Sequence, residues 1–158
     1  MEGPGGNPGL SSRVMAVAAF NPAVDLVSFG RKSGGNAKSS VAEFLGKTYA
    51  EDKGLWEMAT PITHVSNSSA SFLFLHGTSD DTVAYQQSLD MREKLKAAGV
   101  KAELFPAEGA GHGFNRPPWF EPTLKKMEEF FLLAFSLGRA SLPVARDELL
   151  RNTRKTEL

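Results

Sequence analysis

The feature that most constrains this chain is a pair of short apolar runs separated by one amphipathic segment. Residues 71–77 read SFLFLHG and residues 101–107 read KAELFPA. Both have the length of a strand. Apolar side chains at consecutive positions point to both faces of a sheet, so such a strand must be covered on both sides, as in a parallel sheet. Between the two runs, residues 84–99 read AYQQSLDMREKLKAAG. Leu89, Met91, Leu95 and Ala98 gather on the inner side of a helix there. Arg92, Glu93, Lys94 and Lys96 lie mostly outside, and Gly99 ends it. Strand, helix and strand in that order predict a right-handed crossover with the helix laid on a parallel sheet.

The rest of the chain extends the pattern. VMAVAAF (14–20), ended by Asn21-Pro22, is a third buried strand. Residues 1–13 and 28–40 are rich in Gly, Ser and Asn and read as loops. Residues 40–52 hold one short helix with Ser40 as its N-cap, and 59–70 read as a connector stopped by Pro61. Pro122 opens a last helix. Its apolar positions Leu124, Met127, Phe131 and Phe135 recur at helical spacing, and Gly138 ends it. The expected fold class is α/β, a parallel sheet with flanking helices. One domain covers 1–138, and a polar tail covers 139–158 with one short helix around ARDELLRN. A chain of 158 residues suits a single core.

Charge and residue usage narrow the function. With 18 Lys and Arg against 18 Asp and Glu, there is no cationic excess for a nucleic-acid backbone. Without cysteine, disulfides, thiolate metal sites and cysteine nucleophiles are excluded. The apolar runs at 14–20 and 130–135 are too short to span a bilayer. MEGPGGNPGL at the start carries no apolar signal core, and the compartment stays open. His64 and His76 are not spaced as a helical zinc pair, so neither a metal nor a cofactor is expected.

In open parallel sheets, ligands gather at the carboxyl ends of the strands. The second strand leads into Asp80 and Asp81. The third leads into EGAGHGFN, where Gly109, Gly111 and Gly113 surround His112. Taken singly, each is also an ordinary acidic turn or a loop histidine. At two successive strand ends, they place a carboxylate beside an imidazole. Such an acid holds one ring N–H, fixes the tautomer and stabilises the imidazolium while the other nitrogen takes a proton. The glycines let the backbone turn tightly enough to present the ring.

These residues carry a family resemblance. The segment 72–114 resembles the C-terminal part of an α/β-hydrolase. It is most similar to the esterase branch that includes feruloyl and acetyl-xylan esterase-like proteins, near dienelactone-hydrolase and prolyl-oligopeptidase-like domains. That branch ends a strand in His-Gly-x-x-Asp-x-x-Val-Pro, matched by His76, Gly77, Asp80 and Val83, with Ala84 in place of proline. Its later Gly-x-Gly-His-Gly-Phe is matched by Gly109 through Phe114. The resemblance covers about residues 3–136. It implies that Asp80 is the triad acid, that His112 is the triad base, and that the substrate is a small-molecule ester.

The family's Gly-x-Ser-x-Gly elbow is not matched. The three glycine pairs with that spacing enclose Asn7, Lys32 and Gly111. The family segment similar to residues 3–20 follows the nucleophile helix, so the resemblance implies a C-terminal half whose nucleophile is supplied elsewhere. The alternative is a catalytically incomplete fragment or interaction module that keeps triad residues as remnants. Either way, 14–20 would be an edge strand. Val14, Ala16, Val17 and Phe20 would then lack a partner strand, and the chain is expected to self-associate or bind a complementing N-terminal half.

Other candidates were weighed against these. Asp25, just past the first strand, is a second possible acid. Asp81 reads as a turn residue, His76 as packing under the turn, and His64 as a structural contact. Trp119 and Phe120 read either as the rim of an acyl pocket or as an apolar cap on the last helix. Ser11, Ser12, Ser33, Ser39 and Ser40 are the best-placed hydroxyls, and none sits on an elbow.

Overall fold

The computed structural model describes residues 11–32, 39–114 and 116–139. Three strands, β1 (Ala16–Phe20), β2 (Ser71–Gly77) and β3 (Ala102–Ala107), form a parallel sheet in the order β1-β2-β3. Ala16 pairs with Ser71 at the start of β1, and Gly77 pairs with Ala107 at the end of β2. The central strand β2 has both backbone edges satisfied. Pro106, which has no N–H to donate, sits in β3 at the sheet edge, where proline is tolerated.

The period-two geometry of β2 divides the core. Phe72 and Phe74 point to one face, where α4 (Gln86–Ala97) brings Met91 and Leu95 against them, joined by Val24, Val100 and Ala102. Leu73 and Leu75 point to the other face, where α5 (Phe120–Arg139) brings Phe130. Leu73, Phe74 and Leu75 are wholly buried. Helices therefore cover both faces, as the apolar run at 71–77 requires. His76 falls on the α4 face with Phe72 and Phe74, and is also wholly buried.

Three short elements fill the β1–β2 connection: α1 (Leu26–Lys32), α2 (Ser40–Leu45) and α3 (Lys53–Ala59), followed by a 3-10 turn at Pro61–His64. Here the structure corrects the sequence reading. Residues 28–32 are helical rather than loop. The helix starts because the Asp25 carboxylate accepts the Ser28 N–H at 3.0 Å. The α2 cap is Ser39, whose Oγ accepts from the Ala42 N–H at 3.2 Å, and Ser40 is the first helical residue. Gly46, at φ 74°, ends α2. Helix α3 was not expected. Asp52 caps it through the Leu55 N–H at 2.9 Å, and it buries Trp56.

Helix α5 begins two residues before Pro122 and continues through Gly138 to Arg139. Met127 and Phe131 pack against the core as expected, but Phe130 and Thr123 are the buried positions, and Leu124 and Phe135 are exposed. The expected tail lies, from residue 140 on, outside the described residues.

Candidate active site

The site is built where two parallel strands end on the same edge of the sheet. After β2, the chain turns through Thr78 and Ser79 into Asp80. The Asp80 Oδ1 accepts the backbone N–H groups of Thr82 (2.9 Å) and Val83 (2.8 Å), which closes the turn on its own side chain. Oδ2 faces the other way. It lies 2.9 Å from His112 Nδ1 and 3.2 Å from His76 Nε2. The Asp80 side chain is fully buried. Burial pushes its carboxyl pKa up, but the N–H of Val83, the ring of His112 and the N–H of Thr82 outweigh that, and the net shift is downward. Asp80 is therefore held as a carboxylate.

After β3, the glycine-rich turn carries His112. Gly109 and Gly113 both have positive φ, 74° and 73°, which a side-chain-bearing residue adopts only with strain. The two turns are stitched together. The Ser79 N–H donates to the Ala110 carbonyl at 2.9 Å, and the Gly109 N–H donates to Thr78 Oγ1 at 2.8 Å. Gly77 makes this approach possible, because a Cβ there would strike the carbonyls of Ala110 and Gly111. Phe114, buried against Leu73, Leu75 and Phe130, anchors the far end of the turn. The His112 ring itself is 43% exposed.

Hydrogen-bond chemistry then fixes the ring. A carboxylate only accepts, so the proton on His112 Nδ1 faces Asp80 and Nε2 keeps a lone pair. Such a group can take a proton at Nε2, and the buried carboxylate stabilises the imidazolium that results.

Several of the remaining candidates are engaged elsewhere. Asp25 caps α1, and its own N–H and that of Val24 bind Gln87 Oε1. Asp81 is exposed and accepts from Thr82 Oγ1. His64 contacts the Met58 carbonyl at 2.6 Å. Trp119 packs against Phe105 over the α5 core, as an apolar cap. Ser11 Oγ accepts the Arg13 N–H, and Ser39 caps α2. Ser33 lies outside the described residues. Among the described residues, no cluster of three or more His, Cys, Asp or Glu could hold a metal, and no helix is long and apolar enough to cross a membrane. Sequence reasoning missed Thr78, Ser79 and Ser88. The motif spacing marks the turn, but it does not show which hydroxyls and amides tie it down.

Comparison with known proteins agrees with this architecture. Residues 7–95 match the model of the BD-FAE family, more than half of the chain and inclusive of Asp80. A candidate carboxymethylenebutenolidase of Salmonella typhimurium is 33% identical over 101 residues, covering 60% of this chain and 37% of its own length. A thermophilic esterase from the planctomycete Thermogutta terrifontis, solved with propionate bound, superposes with a TM-score of 0.60 at 28% identity, over 84% of this chain and 47% of the esterase. Its sarin-phosphonylated form superposes with a TM-score of 0.60 at 26% identity, over 83% and 48%. The chain thus spans less than half the length of these relatives.

Proposed function

The chain belongs to the BD-FAE family of α/β-hydrolase-like proteins, and on that premise we propose that Asp80 and His112 are the acid and base of a serine-type ester hydrolase. The observation that carries the proposal is the 2.9 Å contact between His112 Nδ1 and the buried Asp80 Oδ2. In the reaction, a serine Oγ attacks the ester carbonyl and passes its proton to His112 Nε2. The imidazolium then returns that proton to the departing alkoxide. Water repeats the cycle on the acyl-enzyme, releasing the acid and restoring the serine. Asp80 keeps its charge throughout and orients the ring.

No Gly-x-Ser-x-Gly occurs in this sequence. The nucleophile and the donors that stabilise the oxyanion therefore come from a polypeptide segment outside this chain's described residues. The Thermogutta esterase is phosphonylated by sarin, which supports a hydroxyl nucleophile in that partner segment. The outer edge of β1, which no strand among the described residues pairs, is the place for it to dock. Met15 O accepts from Ser71 and Asn21 N–H donates to Leu75, so alternate peptide groups of β1 face β2. Those of Ala16, Ala18 and Phe20 face the edge. Val14 and Met15 beside them are about 60% exposed. A second copy of the chain is the competing occupant of that edge, and it would make the molecule an interaction module.

Turnover of p-nitrophenyl acetate by the purified chain, with and without a serine-directed phosphonate, tests the reading. The expected result is background turnover and no phosphonate adduct. Phosphonate-sensitive turnover lost in both Asp80→Asn and His112→Ala would place the nucleophile on this chain. Sensitive turnover that survives both changes would remove the pair from the mechanism.

A further inference from the structure

The proposed mechanism leaves one buried titratable side chain unused. His76 is wholly inaccessible and stands at the end of β2, four residues before Asp80. A buried imidazole needs partners at both nitrogens, and here it has them. Nε2 lies 2.9 Å from the Val83 carbonyl, and Nδ1 lies 2.7 Å from Ser88 Oγ on α4. A carbonyl only accepts, so the proton must be on Nε2. Nδ1 is then bare and accepts from the Ser88 hydroxyl. The tautomer of His76 is thereby settled by the Val83 carbonyl, and the Ser88 hydroxyl adapts to it.

That tautomer has a consequence at Asp80. With its proton on Nε2, the ring turns its positive edge to Asp80 Oδ2 at 3.2 Å. It also grips Val83, whose own N–H holds Oδ1 at 2.8 Å. Asp80 is thus fixed from both sides. The Thr82 and Val83 amides hold one oxygen, and His76 and His112 share the other. In the opposite tautomer, a lone pair would face both the Val83 carbonyl and the carboxylate. That arrangement is repulsive, and the turn would open. The Tyr85 ring packs against His76 in a T-shaped arrangement, with ring centroids 5.6 Å apart.

We infer that His76 is a positioning residue for the Asp80–His112 pair, its tautomer set by the Val83 carbonyl. A line of contacts thus runs from α4 through His76 and Asp80 to the exposed imidazole. The importance of this line for catalysis rests on the proposed triad; the line itself does not.

The test is therefore spectroscopic and needs no turnover. Ring nitrogens of the ¹⁵N-labelled chain are read at mildly alkaline pH, where neutral imidazole dominates. The wild-type chain should show His76 protonated on Nε2 and His112 on Nδ1. His76→Leu removes the donor to Asp80 and should lower the Nδ1–H to Nε2–H ratio of His112 roughly fivefold, the factor expected for one net hydrogen bond. His76→Gln, which keeps a donor near the Nε2 position, should restore the ratio. Ser88→Ala, which leaves Val83 and Asp80 facing Nε2, should keep His76 protonated on Nε2.

Amide dispersion reports whether each variant is folded. If His76→Leu unfolds, His76→Phe, which fills the ring's volume without a donor, decides in its place. An unchanged His112 spectrum in the folded donor-free variant would overturn the inference, as would a wild-type His76 protonated on Nδ1. If the tautomers respond as expected but phosphonate-sensitive turnover survives His112→Ala, the positioning stands and the catalytic reading fails.

Discussion

Gly77→Ala separates the geometry of the site from its chemistry. The new methyl group would lie 2.5 Å from the Gly111 carbonyl oxygen and closer still to that of Ala110. Ordinary contact for a Cβ begins near 3.4 Å, so the turn must retreat by about 0.9 Å. Both obstacles are backbone, and neither can rotate away. His112 follows Gly111 directly, and a retreat of that size would stretch its 2.9 Å contact with Asp80 to about 3.8 Å, beyond hydrogen-bond range. The Ser79 to Ala110 bond, 2.9 Å long, would weaken with it.

Overpacking of this kind costs about 2 kcal/mol, and a chain of this size should then melt about 4–8 °C lower. Gly111→Ala is the matched control, because a methyl group there meets nothing within 4 Å. It should change the melting temperature by less than about 2 °C and leave the His112 tautomer intact. Differential scanning calorimetry and ring-nitrogen spectra of both variants are the assay. If Gly77→Ala melts with wild type and keeps the His112–Asp80 bond, the argument from close approach is wrong. The same follows if Gly111→Ala is equally damaging.

Three further outcomes are expected. Because the Asp80 pKa is lowered by folding, its contribution to stability is complete above the ordinary aspartate value and is lost as pH falls through the folded one. The stability gap between wild type and Asp80→Asn should therefore shrink between pH ~5 and pH ~2, and a gap that widens on acidification would contradict the assignment. Phe130→Ala, at the wholly enclosed centre of the α5 face, should cost about 3–5 kcal/mol in urea unfolding, whereas Phe135→Ala, 46% exposed, should cost under about 1 kcal/mol. The outer edge of β1, unpaired among the described residues, should drive association. Light scattering across a concentration series should show a mass that rises with concentration and falls back in Ala18→Pro, and a clean monomer at every concentration would close that edge to partners.

What the sequence revealed depended on how local each cause was. Strand β2 was legible at its true ends, because consecutive Phe and Leu side chains can be buried only between two layers. The Asp80–His112 pairing was legible because two strand ends on one edge leave little freedom in where their turns meet. Helices α1 and α3 were not legible. Each has seven residues and carries an internal glycine, and neither shows an apolar stripe. Their only local signs were the capping carboxylates of Asp25 and Asp52. Gly30 in α1 is explained by contact with Tyr49, nineteen residues away. The phase of α5 was read only in part, with Met127 and Phe131 on the core face, because the helix is apolar on several sides and spacing alone does not choose Phe130 over Leu124 or Phe135. The role of His76 was hidden because motif spacing does not show that the Val83 carbonyl and the Asp80 carboxylate fold back onto one ring nitrogen.

On the proposed reading, Asp80 and His112 serve a nucleophile brought by another segment. Turnover of p-nitrophenyl acetate by the chain, mixed with the separately expressed segment of the Thermogutta esterase that the chain does not cover, tests this most directly. The account predicts phosphonate-sensitive turnover that neither part shows alone. That turnover should be abolished by His112→Ala and reduced about 10⁴-fold by Asp80→Asn. Equal turnover from the mixture carrying His112→Ala would contradict it.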